Sequence, residues 1–344
     1  MDRGVHRRET RCLSRRTAAV APAPLYCKLT PLLPTTLDRM LRIGIIGLGP
    51  DWDEVYRPAL ARLSGRLRVT AVYDAVEPRA AWAGEGLRAP RLTGIRAMLH
   101  RADVAAVLWL DRAWHGLAPL ELAIEQGKPV YVGVPLSGTL PKMETLCRAA
   151  DSKSVLVSPE LRLRTAPTTT RIHELAATRL GAVEEIDARI RCDVSGCDLR
   201  DIVSAVDWCS SLVRSVPVDC RVECLAGGAL DVHLTFRRVR SDSTPTAARI
   251  RLEPRPDSPK LAADVTCLQG RIEVTSETEL RWQTAEQTTG EQLDRDRNGV
   301  EVLLDHFARR VVGGLVPVAG LDDVCRILRL LEPYDALLKA GNKS

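Results

Sequence analysis

The apolar and polar positions of the chain fall into two stretches of different rhythm. From residue 41 to about 136, short apolar runs alternate with segments of helical period. The runs at 41–46, 67–73, 104–110 and 129–134 are strand-sized and near-continuously apolar, as strands buried on both faces must be. A shorter candidate lies at Arg91-Leu92. Helices are predicted over 55–63, 78–84, 95–100 and 117–126, the last ended by Gly127 in the manner of a C-terminal capping glycine. A helix over 137–150 and a sixth strand at 155–158 close this half. Strands alternating with helices at this spacing predict a parallel, doubly wound sheet.

Beyond residue 158 the period changes. A helix from about 169 to 180 is followed by strands at 183–194, 218–225, 230–239, 247–253, 261–268, 271–276 and 279–283. Arg249-Ile250-Arg251-Leu252 and Arg271-Ile272-Glu273-Val274 alternate polar with apolar, the mark of a sheet with one solvated face. One helix, 199–213, interrupts the strands, and two more close the chain at 300–312 and 321–339. The predicted fold is therefore α/β: an N-terminal Rossmann-type doubly wound parallel sheet over 40–158, then an α+β domain over 159–344 with an open, mainly antiparallel sheet and the C-terminal helices.

The first turn of that pattern carries candidate chemistry. The strand Leu41-Arg42-Ile43-Gly44-Ile45-Ile46 runs into Gly47-Leu48-Gly49 and then a helix opened by Asp51 or Asp53. Strand, glycine turn and helix start together allow a backbone to approach a pyrophosphate and face it with a helix N-terminus. Trp52 stands where the third glycine of G-x-G-x-x-G is usual. Asp74 ends the second strand, 25 residues after Gly49, at the place where a carboxylate accepts the adenine-ribose hydroxyls and repels a 2′-phosphate. That favours NAD over NADP.

Composition adds little to this picture and removes some alternatives. The chain has 344 residues, enough for two domains, and its 4% aromatic content leaves the cores to Val, Leu, Ile and Ala. The net charge of +5 lies wholly within residues 1–40; the rest carries Lys and Arg equal in number to Asp and Glu. No basic face for nucleic acid follows. Residues 1–39, rich in Arg, Ser, Thr and Pro without periodicity, are expected to be disordered or an extension from an upstream start, with folding beginning at Met40. No apolar run approaches a membrane span. The ten cysteines, among them Cys192/Cys197 and Cys220/Cys224, lack zinc-knuckle spacing, so reduced thiols in a cytoplasmic protein are expected, with no metal.

Residues 43–60, Asp74 with Pro78-Arg79-Ala80, and Glu125-Gln126-Gly127-Lys128-Pro129-Val130-Tyr131-Val132 together resemble the glucose-fructose oxidoreductase/inositol dehydrogenase (Gfo/Idh/MocA) family. Arg164 and Pro167, and two C-terminal helices joined through Val316-Pro317-Val318, are similar to that family as well. The resemblance implies an NAD-linked oxidoreductase acting on a sugar, polyol or similar hydroxylated molecule, in a homo-oligomer whose open sheet is covered by a second subunit. It implies cofactor contacts at Gly47, Gly49, Trp52, Asp74, Leu110 and Pro135. Two departures weigh against turnover. The family's Glu-Lys-Pro triplet is here Gly133-Val134-Pro135, and valine cannot shuttle a proton. The family's helix with Asp and, four residues on, His corresponds to Asp201 followed by Ala205; the alternative register, through Asp207, puts Ser204 there. A hydroxyl proton needs a lysine or histidine near neutral pH. Lys142, His115, His173 and His233 are the replacements available, and His115, following the fourth strand, is the best placed. The candidate catalytic residues are thus Asp201 and His115. The alternative is a catalytically inactive nucleotide-binding homologue acting as a sensor or structural partner.

Overall fold

The computed structural model describes residues 40–334, apart from 112–114, 134–135, 137–138, 193–196, 198, 238–244, 255–259 and 294–298. Five parallel strands, β1 (Leu41–Ile46), β2 (Leu67–Tyr73), β3 (Ala106–Trp109), β4 (Val130–Val132) and β5 (Val157–Pro159), form one sheet in the order β2-β1-β3-β4-β5. The order reverses direction at β1, between β2 and β3, so a switch-point crevice opens above the carboxyl end of β1. The expected strand at Arg91 reduces to a single bridge between Val72 and Arg91, since Pro90 offers no N–H for a longer ladder.

Helices α1 (Arg57–Arg62), α2 (Glu77–Leu87), α3 (Ile95–Leu99), α4 (Ala118–Glu125) and α5 (Leu140–Ser152) connect these strands. The chain then passes through a short 3₁₀ turn, Arg162–Thr165, and α6 (Pro167–Leu175), which continues as a π-type turn over Ala176–Leu180.

The second sheet has eight strands: β6 (Val183–Arg191), β7 (Pro217–Cys224), β8 (Leu230–Phe236), β9 (Thr246–Glu253), β10 (Leu261–Cys267), β11 (Gly270–Ser276), β12 (Glu279–Gln283) and β13 (Thr288–Gln292). Their order is β13-β12-β11-β10-β6-β9-β8-β7, antiparallel throughout except where β9 lies parallel to β6. That exception follows from α7 (Leu199–Val213), which intervenes between β6 and the β7–β8–β9 meander. β13 was not legible in the sequence: Thr288-Thr289-Gly290-Glu291-Gln292 has no apolar member, and it forms as an edge strand on β12.

Two helices, α8 (Gly299–Val311) and α9 (Leu321–Leu331), close the described chain. α8 returns to the parallel sheet, where Leu304 and Phe307 pack with Ile43, Ile45, Leu108 and Tyr131. The other face of that sheet shares one continuous core with the second sheet, from Val107 and Val132 through Leu175 and Ile186 to Ile250 and Trp282. Cys192 and Cys197, at the end of β6, form a disulfide, which corrects the expectation of reduced thiols for that pair.

Candidate functional site

The crevice begins at the turn after β1. Gly47 and Gly49 both adopt left-handed backbone, with φ of 73° and 52°. A Cβ on Gly47 would collide with Asp111, and one on Gly49 with the carbonyl oxygen of Leu110. The two glycines are therefore required where the turn passes over the end of β3. Asp74, buried at the end of β2, ties this turn down: Leu48 N–H donates to its Oδ2 at 2.9 Å and Val76 N–H to its Oδ1 at 2.7 Å. Arg79 donates to the Gly49 carbonyl at 3.0 Å.

The helix after the turn starts irregularly. Val55 N–H and Tyr56 N–H both donate to the Asp51 carbonyl, at 3.0 and 3.2 Å, in a π-type turn spanning Trp52–Tyr56 that runs into α1. Pro58 near the start of α1 has no N–H for the regular helical ladder, which accounts for the wide turn before it. Trp52 is not at the crevice surface. It is 2% exposed, belongs to the core beneath α1, and its indole nitrogen has no hydrogen-bond partner there. Three carboxylates occupy the helix start instead: Asp51 at the N-cap, and Asp53 and Glu54 in the first turn.

A polar network fills the β4–β5 side. The Glu160 carboxylate, directly after β5, accepts from Tyr56 Oη at 2.8 Å, Tyr131 Oη at 2.5 Å and Arg162 Nε at 2.5 Å. Arg162 also donates to Asp51 Oδ2 at 2.7 Å. Burial, and then the charge of Glu160, push both phenols above their ordinary range, so they stay protonated and donate. Tyr56 Oη also lies 3.3 Å from the carbonyl of Gly133. A Cβ at Gly133 would collide with that hydroxyl and crowd Leu110. The position at which the resemblance expects a glutamate is therefore closed by a phenol, and a carboxylate reaches the strand ends from Glu160 instead. The sequence names Gly133, Asp51 as a helix-opening residue and Tyr131 within its strand, but not Tyr56, Glu160 or Arg162, because the network's members are far apart along the chain and converge only through sheet order.

Among the expected site residues, Gly47, Gly49, Leu110 and Asp74 converge on one turn. Pro135 lies outside the described residues. His115 is engaged at the β2 side, its Nε2 3.0 Å from Tyr73 Oη and its ring 5.6 Å from the tyrosine ring. Asp201 lies in the first turn of α7, a helix packed on the 3₁₀ turn after β5, the opposite edge of the sheet. The other imidazoles and Lys142 are placed elsewhere: Lys142 pairs with Glu121, His173 ends α6, and His233 faces outward on β8 beside Asp231.

Residues 41–161 match the sequence model of an oxidoreductase family with an NAD-binding Rossmann fold, the Gfo/Idh/MocA family. Among curated proteins none matches the sequence. Similar solved structures include UDP-N-acetylglucosamine 3-dehydrogenase from Acidithiobacillus ferrooxidans, with a TM-score of 0.74 at 17% identity over 88% of this chain and 99% of that one. Another is an aldose-aldose oxidoreductase from Caulobacter crescentus complexed with glycerol, with a TM-score of 0.73 at 18% identity over 88% and 98%. At this identity the likeness establishes a shared fold across both sheets.

The family model describes NAD-binding proteins. The residues present here fit one end of such a cofactor. Asp74 and the glycine turn suit an adenine ribose, because each oxygen of the carboxylate retains a second lone pair after its backbone bond. The helix start does not fit the pyrophosphate: it carries Asp51, Asp53 and Glu54 where a dinucleotide places its own negative charge.

Proposed function

We propose that this protein is a homologue of sugar and polyol dehydrogenases that recognises its ligand at the β1–β2 crevice and does not transfer hydride, serving as a sensor or structural partner. The observation that carries this reading is the closure of Gly133 by Tyr56. With the phenol of Tyr56 held between Glu160 and the Gly133 carbonyl, the end of β4 has no room for the acidic side chain that the resemblance expects there. The proton-transfer lysine expected next in the chain is Val134. Of the two candidate catalytic residues, His115 is engaged by Tyr73 at the β2 edge of the sheet, and Asp201 lies in the first turn of α7.

The test is a nicotinamide-reduction assay with a panel of sugars, inositols and sugar nucleotides, supplied with NAD or NADP. No reduction above the protein-free rate is expected; sustained turnover with any member would overturn the reading. A ligand that binds the wild type should bind Asp74→Ala more weakly.

A second reading is favoured by His115, which stands at the carboxyl end of the sheet next to Tyr73. In it the protein is an oxidoreductase on a hydroxylated small molecule with a relocated proton-transfer group, and His115→Ala abolishes the turnover seen in the same assay.

A further inference from the structure

The carboxylates at the helix start bear on which ligands the crevice accepts, and the argument rests on the crevice being the ligand site. Around the first turn of the helix stand Asp51, Asp53, Glu54 and, across the network, Glu160. Three guanidiniums lie among them. Arg162 is shared between Asp51 and Glu160, Arg57 pairs with Asp53 at 3.3 Å, and Arg79 is held by the Gly49 carbonyl. Among these described residues the balance is one net negative charge, before the buried Asp74 is counted. A carboxylate in the first turn already satisfies the positive end of the helix dipole, so an incoming anion gains less there and meets like charge. The backbone reinforces this. Leu48 N–H, in the glycine turn, donates to Asp74 rather than toward an anion.

We infer that this crevice rejects the pyrophosphate of a dinucleotide and takes a ligand with a ribose-type vicinal diol and no phosphate, a nucleoside of neutral or positive charge. Asp74 receives the diol, as it would in a dinucleotide site, while Asp51, Asp53 and Glu54 exclude the diphosphate.

Calorimetric titration of the full chain with adenosine, NAD and NADP tests this, at low and at high salt. Adenosine is expected to bind more tightly than either dinucleotide. NAD binding should strengthen as salt rises, because salt screens repulsion, whereas an ordinary phosphate site weakens. The variant Asp53→Asn/Glu54→Gln removes two exposed charges and leaves the Asp51–Arg162 pair intact; it should raise NAD affinity by about tenfold and leave adenosine binding unchanged. NAD binding tighter than adenosine and weakening with salt would overturn the inference, as would failure of adenosine to bind. Nicotinamide turnover with adenosine still the tighter ligand would instead sink the non-redox reading and leave this one standing.

Discussion

At Gly133 the absence of a side chain is fixed by a neighbour far away in sequence: the hydroxyl of Tyr56 occupies the space beside it. Gly133→Ala should therefore destabilise the fold by about 1–3 kcal/mol through overpacking, read as a lower thermal midpoint. Tyr56→Phe in the same chain should recover part of that loss, because the nearest colliding atom is the phenolic oxygen. Glu160 is the hub of the same network, and Glu160→Gln should cost about 1.5–3 kcal/mol by weakening three charge-assisted bonds. The two phenols also set a pH limit. Their folded-state pKa values lie above the unfolded value, so their contribution is complete below about pH 10 and is lost as pH rises beyond it. Thermal melts should show this alkaline fall, and Tyr131→Phe should make it shallower.

Between elements, buried polar ties set the geometry that apolar packing leaves loose. Asp74 joins the β1 turn to the β2 loop, and Arg164 joins the 3₁₀ turn after β5 to α7 through a bidentate pair with Asp207 at 2.6 and 2.5 Å. Asp207 is 2% exposed, and burial holds its carboxyl above the usual range despite the arginine. Arg164→Ala would leave that carboxyl without its partner, at a cost of about 3–5 kcal/mol, measurable by urea denaturation. Much of the secondary structure was legible from period alone. β1, β2, α7 and β12 fall where the apolar pattern puts them, since each spans a full strand or several helical turns of consistent period. The failures have local causes. The π-type turn at Trp52–Tyr56 depends on Pro58 further along the helix, and β13 owes its existence to hydrogen bonds with β12 rather than to side chains of its own.

For the molecule as a whole, the outward face of the second sheet shows what a covering subunit would meet. Glu185, Asp187 and Arg189 on β6 lie beside Arg249 on β9, with His233 on β8 and Arg271 and Glu273 on β11 farther across. A second subunit on this face, which the family resemblance suggests, would be held by interleaved charge. Such a dimer should dissociate at high salt in sedimentation velocity, whereas an apolar interface would persist. The sequence by itself determined the alternating strands and helices and the glycine turn with its acidic residue at Asp74, because each is written in local period or short spacing. Only the tertiary structure decided that Trp52 is a core residue, that Tyr56 seals Gly133, and that Asp51 meets Arg162 from across the sheet. Those contacts join residues 77 and 111 positions apart, and strand order alone brings such positions together.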